Sequence, residues 1–441
     1  TLVTAKEIIF FWVARMNCMA LHFEGKMPYQ NVVITPVVLD EKGETMSKSK
    51  GNGIDPLMII NGATLDELKK PVMESRPSNM KDIIKRLEKN FPEGYEGVGA
   101  DALRYTLIYL CSGGQQMKIS LNTFQEIGRR FMTKLWNAAR FILMYVEQEK
   151  DKQGPEKIDF EKHLTDEDRW IQAKLQLTIN KVRRCYETYD FANLGQVYYQ
   201  YVWNDFCDWY IELCKVHLNS EDAVQRRTAL HNLTEIFAST LTILNPLIPF
   251  VTEELWSKVR PEPSVLMMQA FPKTLDLTRE QGLIVEKFEK LQQFVGEIRS
   301  LRKTYQIKDS EKLSVFTLPL DDVAKDLVAK ATPMIERLAN LASLTPVKSR
   351  KEKPAGTVTI LDPSFEIYLD LSKYIDVEAE KARIKKELEQ LEKHTQSLNQ
   401  RLQNEAFVQN AKPEVVEEQR ASLLTQQEQV KKLKQLLKEL S

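Results

Sequence analysis

The residues best equipped for chemistry lie in one stretch, Thr45-Met46-Ser47-Lys48-Ser49-Lys50-Gly51-Asn52-Gly53-Ile54-Asp55-Pro56. Lys48 and Lys50 bring positive charge, Ser47 and Ser49 bring hydroxyls, and Gly51 and Gly53 let the backbone turn sharply toward a bound group. Mobile ammonium groups, hydroxyls and free backbone N–H groups suit a polyphosphate, above all one whose negative charge builds up in a transition state. Lysine acts there as a movable point charge and lacks the planar fork of arginine. The same residue types also describe a solvated basic turn, and taken alone they leave both readings open.

A loop of this kind needs rigid flanks. Residues 2–4 and 31–39, rich in valine and isoleucine, read as buried strands. Between them, residues 7–22 carry Ile8, Phe11, Trp12 and Met16 at helical spacing. Strand, helix and strand in that order predict a parallel sheet, with the loop following the second strand through a polar turn at 40–44. Residues 69–99 are charged and punctuated by proline and glycine, and read as an excursion before a helix starting near Ala100. From 126 to 265 the pattern is that of a helix bundle. Asn245-Pro246-Leu247-Ile248-Pro249 interrupts it, with a new helix expected from Thr252. Residues 266–375 alternate helical pattern (284–304, 322–342) with strand pattern (313–317, 357–361, 365–370), as in a small α+β module.

The tail differs. Val377, Ile384, Leu388, Leu391, Leu398 and Leu402 form a heptad seam, which breaks at 404–413 and resumes at Val416, Leu423, Val430, Leu433, Leu437 and Leu440. Two arms of about 25 residues, each about 38 Å long at 1.5 Å per residue, predict an antiparallel hairpin.

Composition narrows the class. The 441 residues leave room for roughly two to four domains of ordinary size. With 43% hydrophobic and 28% charged residues, wholesale disorder is excluded. Lys plus Arg and Asp plus Glu are 62 each, so no global field announces a nucleic-acid partner, and any such contact must come from local patches. The five cysteines (Cys18, Cys111, Cys185, Cys207, Cys214) contain no CxxC pair, which predicts neither a disulfide framework nor a cysteine zinc site. Cys207 and Cys214 read as buried small apolar residues. No apolar run reaches the roughly 18 residues of a membrane span. The chain opens with Thr1 inside a strand-like segment, so it is expected to be a piece of a longer protein.

The loop string closely resembles the KMSKS motif of the class I aminoacyl-tRNA synthetases, and the likeness runs in order along the chain. Ile8-Ile9-Phe10-Phe11-Trp12-Val13-Ala14-Arg15-Met16 is similar to the helix before that motif in valyl enzymes. Gly99-Ala100-Asp101-Ala102-Leu103-Arg104-Tyr105 resembles their GADALR segment. Lys134-Leu135-Trp136-Asn137-Ala138-Ala139-Arg140-Phe141, Phe206-Cys207-Asp208-Trp209-Tyr210 and Asn245-Pro246-Leu247-Ile248-Pro249-Phe250 resemble landmarks of the anticodon-binding bundle. Asn404-Glu405-Ala406-Phe407-Val408 resembles the loop of the valyl C-terminal coiled coil. The tail and the first helix favour the valyl branch. An isoleucyl enzyme of the same subgroup, or a non-catalytic tRNA-binding protein derived from one, are the alternatives.

The resemblance implies four parts. Residues 1–125 are the C-terminal part of a Rossmann-type α/β catalytic domain, 126–265 an all-α anticodon-binding domain, 266–375 an α+β junction, and 376–441 an antiparallel coiled-coil arm for tRNA. It implies ATP with Mg2+, valine and tRNA(Val) as partners, in a cytoplasmic, monomeric enzyme with no protein-held metal. Lys48 would be the catalytic cation, with Met46, Ser47 and Ser49 shaping the ATP site. Ile8 would line the valine pocket, though core packing explains its spacing equally. Phe141 would stack on an anticodon base, or else be a core aromatic. Lys381, Arg383, Lys385, Lys386 and Lys393 would meet tRNA, or else form a solvated face. Thr45 stands where the motif has its first lysine, Thr35-Pro36 where a His-Gly pair is common, and Ala5-Lys6-Glu7 where Gly-x-Asp is usual. The family's other ATP motif, HIGH, does not occur here, and none of His22, His163, His217, His231 and His394 sits in one. That motif and the editing insertion are expected upstream.

Overall fold

The computed structural model describes residues 1–47, 50–111, 116–150, 152, 154–155, 157–260, 264–354, 357–370 and 377–403, with positions 423, 426, 430, 431, 434 and 437 beyond. The chain divides into two compact units, Thr1–Val285 and Glu286–Ser441.

In the first unit, strand β1 (Leu2–Ala5) pairs in parallel with β2 (Val32–Thr35), Leu2 lying opposite Val32. A 3₁₀ turn (Lys6–Ile8), a wide π-helical turn (Ile9–Val13) and an α-helix (Ala14–Glu24) connect them, as the expected strand–helix–strand pattern requires. The helix stops at Gly25, whose φ of +65° is the left-handed conformation that glycine adopts without strain.

Two expectations need correction. Residues 31–39 are not one strand, because Pro36 offers no N–H and fixes its φ. β3 (Val38–Leu39) therefore starts afresh and pairs in parallel with β4 (Met117–Lys118). Nor are β1 and β2 buried throughout. Thr4 and Val33 are, but Val3 is 61% and Val32 39% exposed. The apolar stripe Ile8, Phe11, Trp12 likewise faces outward, and only Val13 of that turn is buried. Helical spacing identified a face, but no described part of this chain packs on it.

The charged stretch 69–99 is not an irregular excursion. It holds the helices Leu65–Ser75 and Met80–Asn90. Thr64 and Glu67 cap the first reciprocally, and Lys69 joins Glu88 across the pair at 2.8 Å. Leu68 and Val72, four apart, and Ile83 supply the buried face that charge density obscured in the sequence.

The helix Ala100–Tyr109 lies where expected and links the strand-bearing part to the bundle. Backbones approach it so closely that a Cβ on Gly128 would sit 2.3 Å from the Ala102 carbonyl oxygen, and one on Gly195 2.5 Å from the Tyr109 Cα. The bundle follows: Arg130–Lys150, Asp166–Glu187, a continuous run from Phe191 to Leu218 with a wide-turned stretch at Tyr199–Tyr210, Ala223–Leu244, and Pro249–Val259. The last begins at Pro249 and not at Thr252, since proline fits a first helical turn whose N–H would lack a helical partner anyway. A buried polar knot ties three helices: Tyr210 Oη donates to Asp168 at 2.6 Å, and the Asn232 amide donates to Asp168 at 3.0 Å and to Tyr210 Oη at 2.6 Å. Cys207 and Cys214 are buried, in keeping with their reading as small apolar residues.

In the second unit, a four-stranded mixed sheet has the order β6-β5-β8-β7. The strands are β5 (Leu313–Pro319), β6 (Leu341–Pro346), β7 (Thr357–Leu361) and β8 (Phe365–Asp370). The helices Arg279–Thr304 and Asp322–Leu338 match the expected module. Residues 341–342, expected to be helical, instead begin β6, after Asn340 turns the chain with φ of +51°. Val377–Gln403 is helical. Glu392 meets Lys434 at 2.7 Å and Thr395 meets Gln426 at 3.4 Å, so the two segments run in opposite senses. Leu388, Leu391, Leu398 and Leu402, and across from them Leu423, Val430 and Leu437, are half-buried. The expected hairpin turn at 404–413 lies outside the described residues.

Candidate functional site

The loop that follows β3 hangs from a carboxylate and an amide. Asp40, just after β3, accepts the backbone N–H groups of Lys42 (3.0 Å) and Glu44 (2.8 Å) through Oδ1 and the Asn52 side-chain amide (2.9 Å) through Oδ2. The Asn52 amide also reaches the Thr45 carbonyl at 3.3 Å, and its Oδ1 accepts from the Ser47 N–H at 3.0 Å. Burial works to raise the Asp40 carboxyl, but the hydrogen bonds from Asn52, Glu44 and Lys42 outweigh it and hold it below the usual aspartate range. Asp40 is thus ionised at neutral pH and able to bind all three donors.

Apolar side chains pin both ends of the loop. Met46 and Ile54 pack on a cluster of Ile59, Met117, Ile119 and Phe124. Asp55 then caps the helix Pro56–Asn61 by accepting the Leu57 N–H at 2.9 Å. Gly51, with φ of +60°, passes so near Ser75 that a Cβ would lie 2.6 Å from its hydroxyl. Ser47 and the stretch from Lys50 to Asp55 are thus tied down by these contacts. Lys48 and Ser49 themselves lie outside the described residues. Lys50 pairs with Glu44 at 3.3 Å, both about half exposed, a contact weak enough to be exchanged for a phosphate. Thr45 is exposed, bridged to Leu39 only through the backbone.

Ile8 is 41% exposed. Phe141 is not among the fully buried residues of its helix. On helix Arg130–Lys150 the buried side chains are Phe131, Leu135, Ala138, Ala139 and Ile142. Phe141 sits half-buried at the edge of that face, 5.0 Å from the Tyr145 ring and with the Lys215 ammonium 5.8 Å from its own centroid. Trp136, 39% exposed, and Arg140 share the outward side. Exposed rings beside cations form a surface that can stack on bases and meet phosphates. On the tail, Lys385, Lys386 and Lys393 are exposed, Lys393 pairing with Glu389 at 2.7 Å. The side chains of Lys381 and Arg383 lie outside the described residues. Among the described residues no group of three or more His, Cys, Asp or Glu side chains could hold a metal, and no helix is long and apolar enough to cross a membrane.

Two groups of functional residues escaped the reading of the sequence. Asp40 and Asn52 lie twelve apart and pair only when the loop folds back. Asp101 and Arg104, inside a quoted motif, grip the Pro246–Val251 turn, and their spacing of three on one helix was the available signal.

Three families match. The chain is similar to the class I tRNA synthetases (I, L, M and V) over residues 1–120, to the anticodon-binding domain of tRNA ligases over 168–317, and to the valyl tRNA synthetase tRNA binding arm over 376–441. It is 35% identical to the valine–tRNA ligase of Neisseria gonorrhoeae over 450 residues, covering 100% of this chain and 46% of that one. It is 34% identical to the enzyme of that name from Xylella fastidiosa, covering 96% and 44%. The chain spans about half the length of the curated relatives it matches. A ternary complex of a leucyl-tRNA synthetase, tRNA and LeuAMS from Agrobacterium radiobacter K84 is similar with a TM-score of 0.41 at 14% identity, over 82% of this chain and 36% of that one.

Proposed function

Because the chain belongs to the valyl-tRNA synthetase family, we propose that the protein containing it activates valine with ATP and esterifies tRNA(Val), working as a cytoplasmic monomer. The valine carboxylate attacks the α-phosphorus of ATP, the bond from that phosphorus to the bridging oxygen breaks, and pyrophosphate leaves. A hydroxyl of the 3′-terminal ribose then attacks the valyl carbonyl, and AMP leaves. Residues 1–125 serve as the second half of the nucleotide fold, 126–265 read the anticodon, 266–375 join, and 376–441 form a coiled-coil arm along the tRNA.

Lys48 neutralises charge on the α-phosphoryl group and departing pyrophosphate, with Met46, Ser47 and Ser49 shaping the loop around it. The observation that carries this reading is the Asp40–Asn52 staple, which fixes the backbone on both sides of Lys48 before any ligand arrives. Such prior ordering is what lets a charged contact act in the transition state without reorganising. Mg2+ would arrive with the ATP phosphates and, when bound, would supply further charge neutralisation beside Lys48. Ile8 lines the valine pocket; its exposure on a turn next to β1 supports that role.

The test is amino-acid-dependent ATP–pyrophosphate exchange and tRNA charging by the full-length protein. Valine is expected to drive both. Isoleucine as the preferred substrate would overturn the valyl assignment, and tRNA binding without any exchange would favour a non-catalytic protein.

A further inference from the structure

Asp101 and Arg104 lie one turn apart at the start of helix Ala100–Tyr109, and both reach into the turn that leads to helix Pro249–Val259. The Asp101 carboxylate accepts the Val251 N–H at 2.6 Å. That N–H belongs to the first turn of an eleven-residue helix and has no partner within it, and Ile248, at the cap position, contributes no side-chain bond. Asp101 thus caps a helix 150 residues away in sequence. Arg104 takes the complementary groups: its Nε donates to the Leu247 carbonyl at 2.7 Å and its Nη2 to that of Pro246 at 3.2 Å. From within, the Asn245 amide donates to Thr252 Oγ1 at 3.0 Å, and Thr252 Oγ1 to the Ile248 carbonyl at 2.8 Å, so the turn presents its groups in a fixed geometry. Asp101 is only 6% exposed and its Oδ1 has no hydrogen-bond partner, so the carboxylate is held here despite a desolvation cost.

The residues just before helix Ala100–Tyr109 lead back to the loop that precedes helix Pro56–Asn61. The Val98 N–H donates to the Ile59 carbonyl at 2.9 Å and the Gly99 N–H to that of Ile60 at 3.2 Å. Ile59 and Ile60 belong to helix Pro56–Asn61, which Asp55 caps directly after the loop. A chain of hydrogen bonds, from the Asp55 cap through the Val98 and Gly99 main chain to the Asp101 and Arg104 side chains, thus runs from helix Pro56–Asn61 through helix Ala100–Tyr109 to the turn at 246–251. The close approaches of Gly128 and Gly195 leave the middle helix no room to slide.

We propose that Asp101 and Arg104 are positioning residues, which set the helix bundle in register with the phosphate loop so that a tRNA held by the bundle presents its 3′ end to the adenylate. The proposal rests on the synthetase reading above. Adenylate formation needs the loop but not the bundle, so the clamp should act on the second step alone.

The experiment compares Arg104→Ala, Arg104→Lys and Asp101→Asn in the full-length protein. Valine-dependent exchange without tRNA should stay within about twofold of wild type. kcat/KM for tRNA charging should fall about tenfold or more for Arg104→Ala, the scale of a lost charge-assisted bond. Arg104→Lys, which keeps the charge but cannot fork to two carbonyls, should recover part of that loss. Parallel losses in exchange and charging would mean a general structural role and overturn the proposal, as would unchanged charging. If Arg104→Ala does not fold, the ratio of the two activities in Arg104→Lys and Asp101→Asn decides the same question. Wild-type protein without valine-dependent exchange would instead remove the synthetase reading itself.

Discussion

At the scale of single residues, charge and its support are separable. If Lys48 acts in adenylate formation as proposed, Lys48→Ala should lower valine-dependent exchange roughly a hundredfold or more while leaving the fold intact. Wild-type exchange in that variant would sink the assignment. Asn52→Ala keeps both lysines but cuts the contacts to Asp40, Ser47 and Thr45 together. It should lower the exchange rate by about tenfold or more at saturating ATP, because the loop must then order at the moment of reaction. An unchanged rate would show that Met46 and Ile54 hold the loop unaided. Thr45→Lys restores the motif's first lysine at an exposed position and should leave exchange equal or higher. The lysines, serines and glycines were legible in the sequence because their types state their chemistry. Asp40 and Asn52 were not, since an aspartate in a polar turn and an asparagine between two glycines look like ordinary turn residues until the backbone closes on itself.

At the scale of elements, periodicity carried the reading wherever a buried face was long. Residues 126–265 are largely helical as their spacing implies, and helices Arg279–Thr304 and Asp322–Leu338 cover most of 284–304 and 322–342, because apolar residues three and four apart must share a face. It failed at residues 31–39, where Pro36 outweighs a run of valines, and it did not resolve the highly charged helices Leu65–Ser75 and Met80–Asn90, which overlap the stretch 69–99 read only as an excursion. Phe141, for which spacing left a core place and a surface place both open, shows how much one position on a helix face matters. It lies beside Ile142, which is buried, yet is itself half exposed next to Tyr145 and Lys215. Phe141→Ala should therefore preserve folding and exchange, and raise the Michaelis constant for tRNA by the loss of a stack worth about 1–3 kcal/mol. Unfolding of the variant would return the residue to the core. Helix Arg130–Lys150 is anchored at its end by Glu149, 12% exposed, which receives Arg226 at 2.7 Å and Arg227 at 2.9 Å. Burial raises the Glu149 carboxyl, but the two guanidinium groups outweigh it and the net shift is downward. A carboxyl lowered by folding stabilises the folded state above its ordinary pKa and loses that contribution as pH falls through the lowered value. Glu149→Gln should cost about 2 kcal/mol at pH 7 in thermal or urea melts, and the gap to wild type should close on acidification. A gap that persists at low pH would assign the effect to packing.

At the scale of the whole molecule, zero net charge decides how a polyanion can be bound. This chain adds no long-range field of its own, so on the proposed function its share of tRNA affinity would come from local surfaces: the ring-and-cation face of the bundle and the exposed lysines of the tail. The tail is nearly balanced in sign, and part of its charge is spent internally, as Lys393 with Glu389 and Lys434 with Glu392 show. Among the described residues of the tail, Lys385 and Lys386 are exposed and could meet phosphates. Each phosphate neutralised releases counter-ions and steepens the fall of affinity with salt, so the slope of log affinity against log salt counts the contacts. Deleting 377–441 from the full-length protein should weaken tRNA binding at low salt and make that slope shallower by a few units at most, while valine-dependent exchange continues. Replacing Lys385 and Lys386 with glutamine should reproduce part of the slope change without removing the hairpin. If deletion weakens binding with no change of slope, the arm holds tRNA by shape and apolar contact. If affinity stays the same across the salt series, the arm does not touch tRNA, and its half-buried leucine seam serves the stability or assembly of the protein instead.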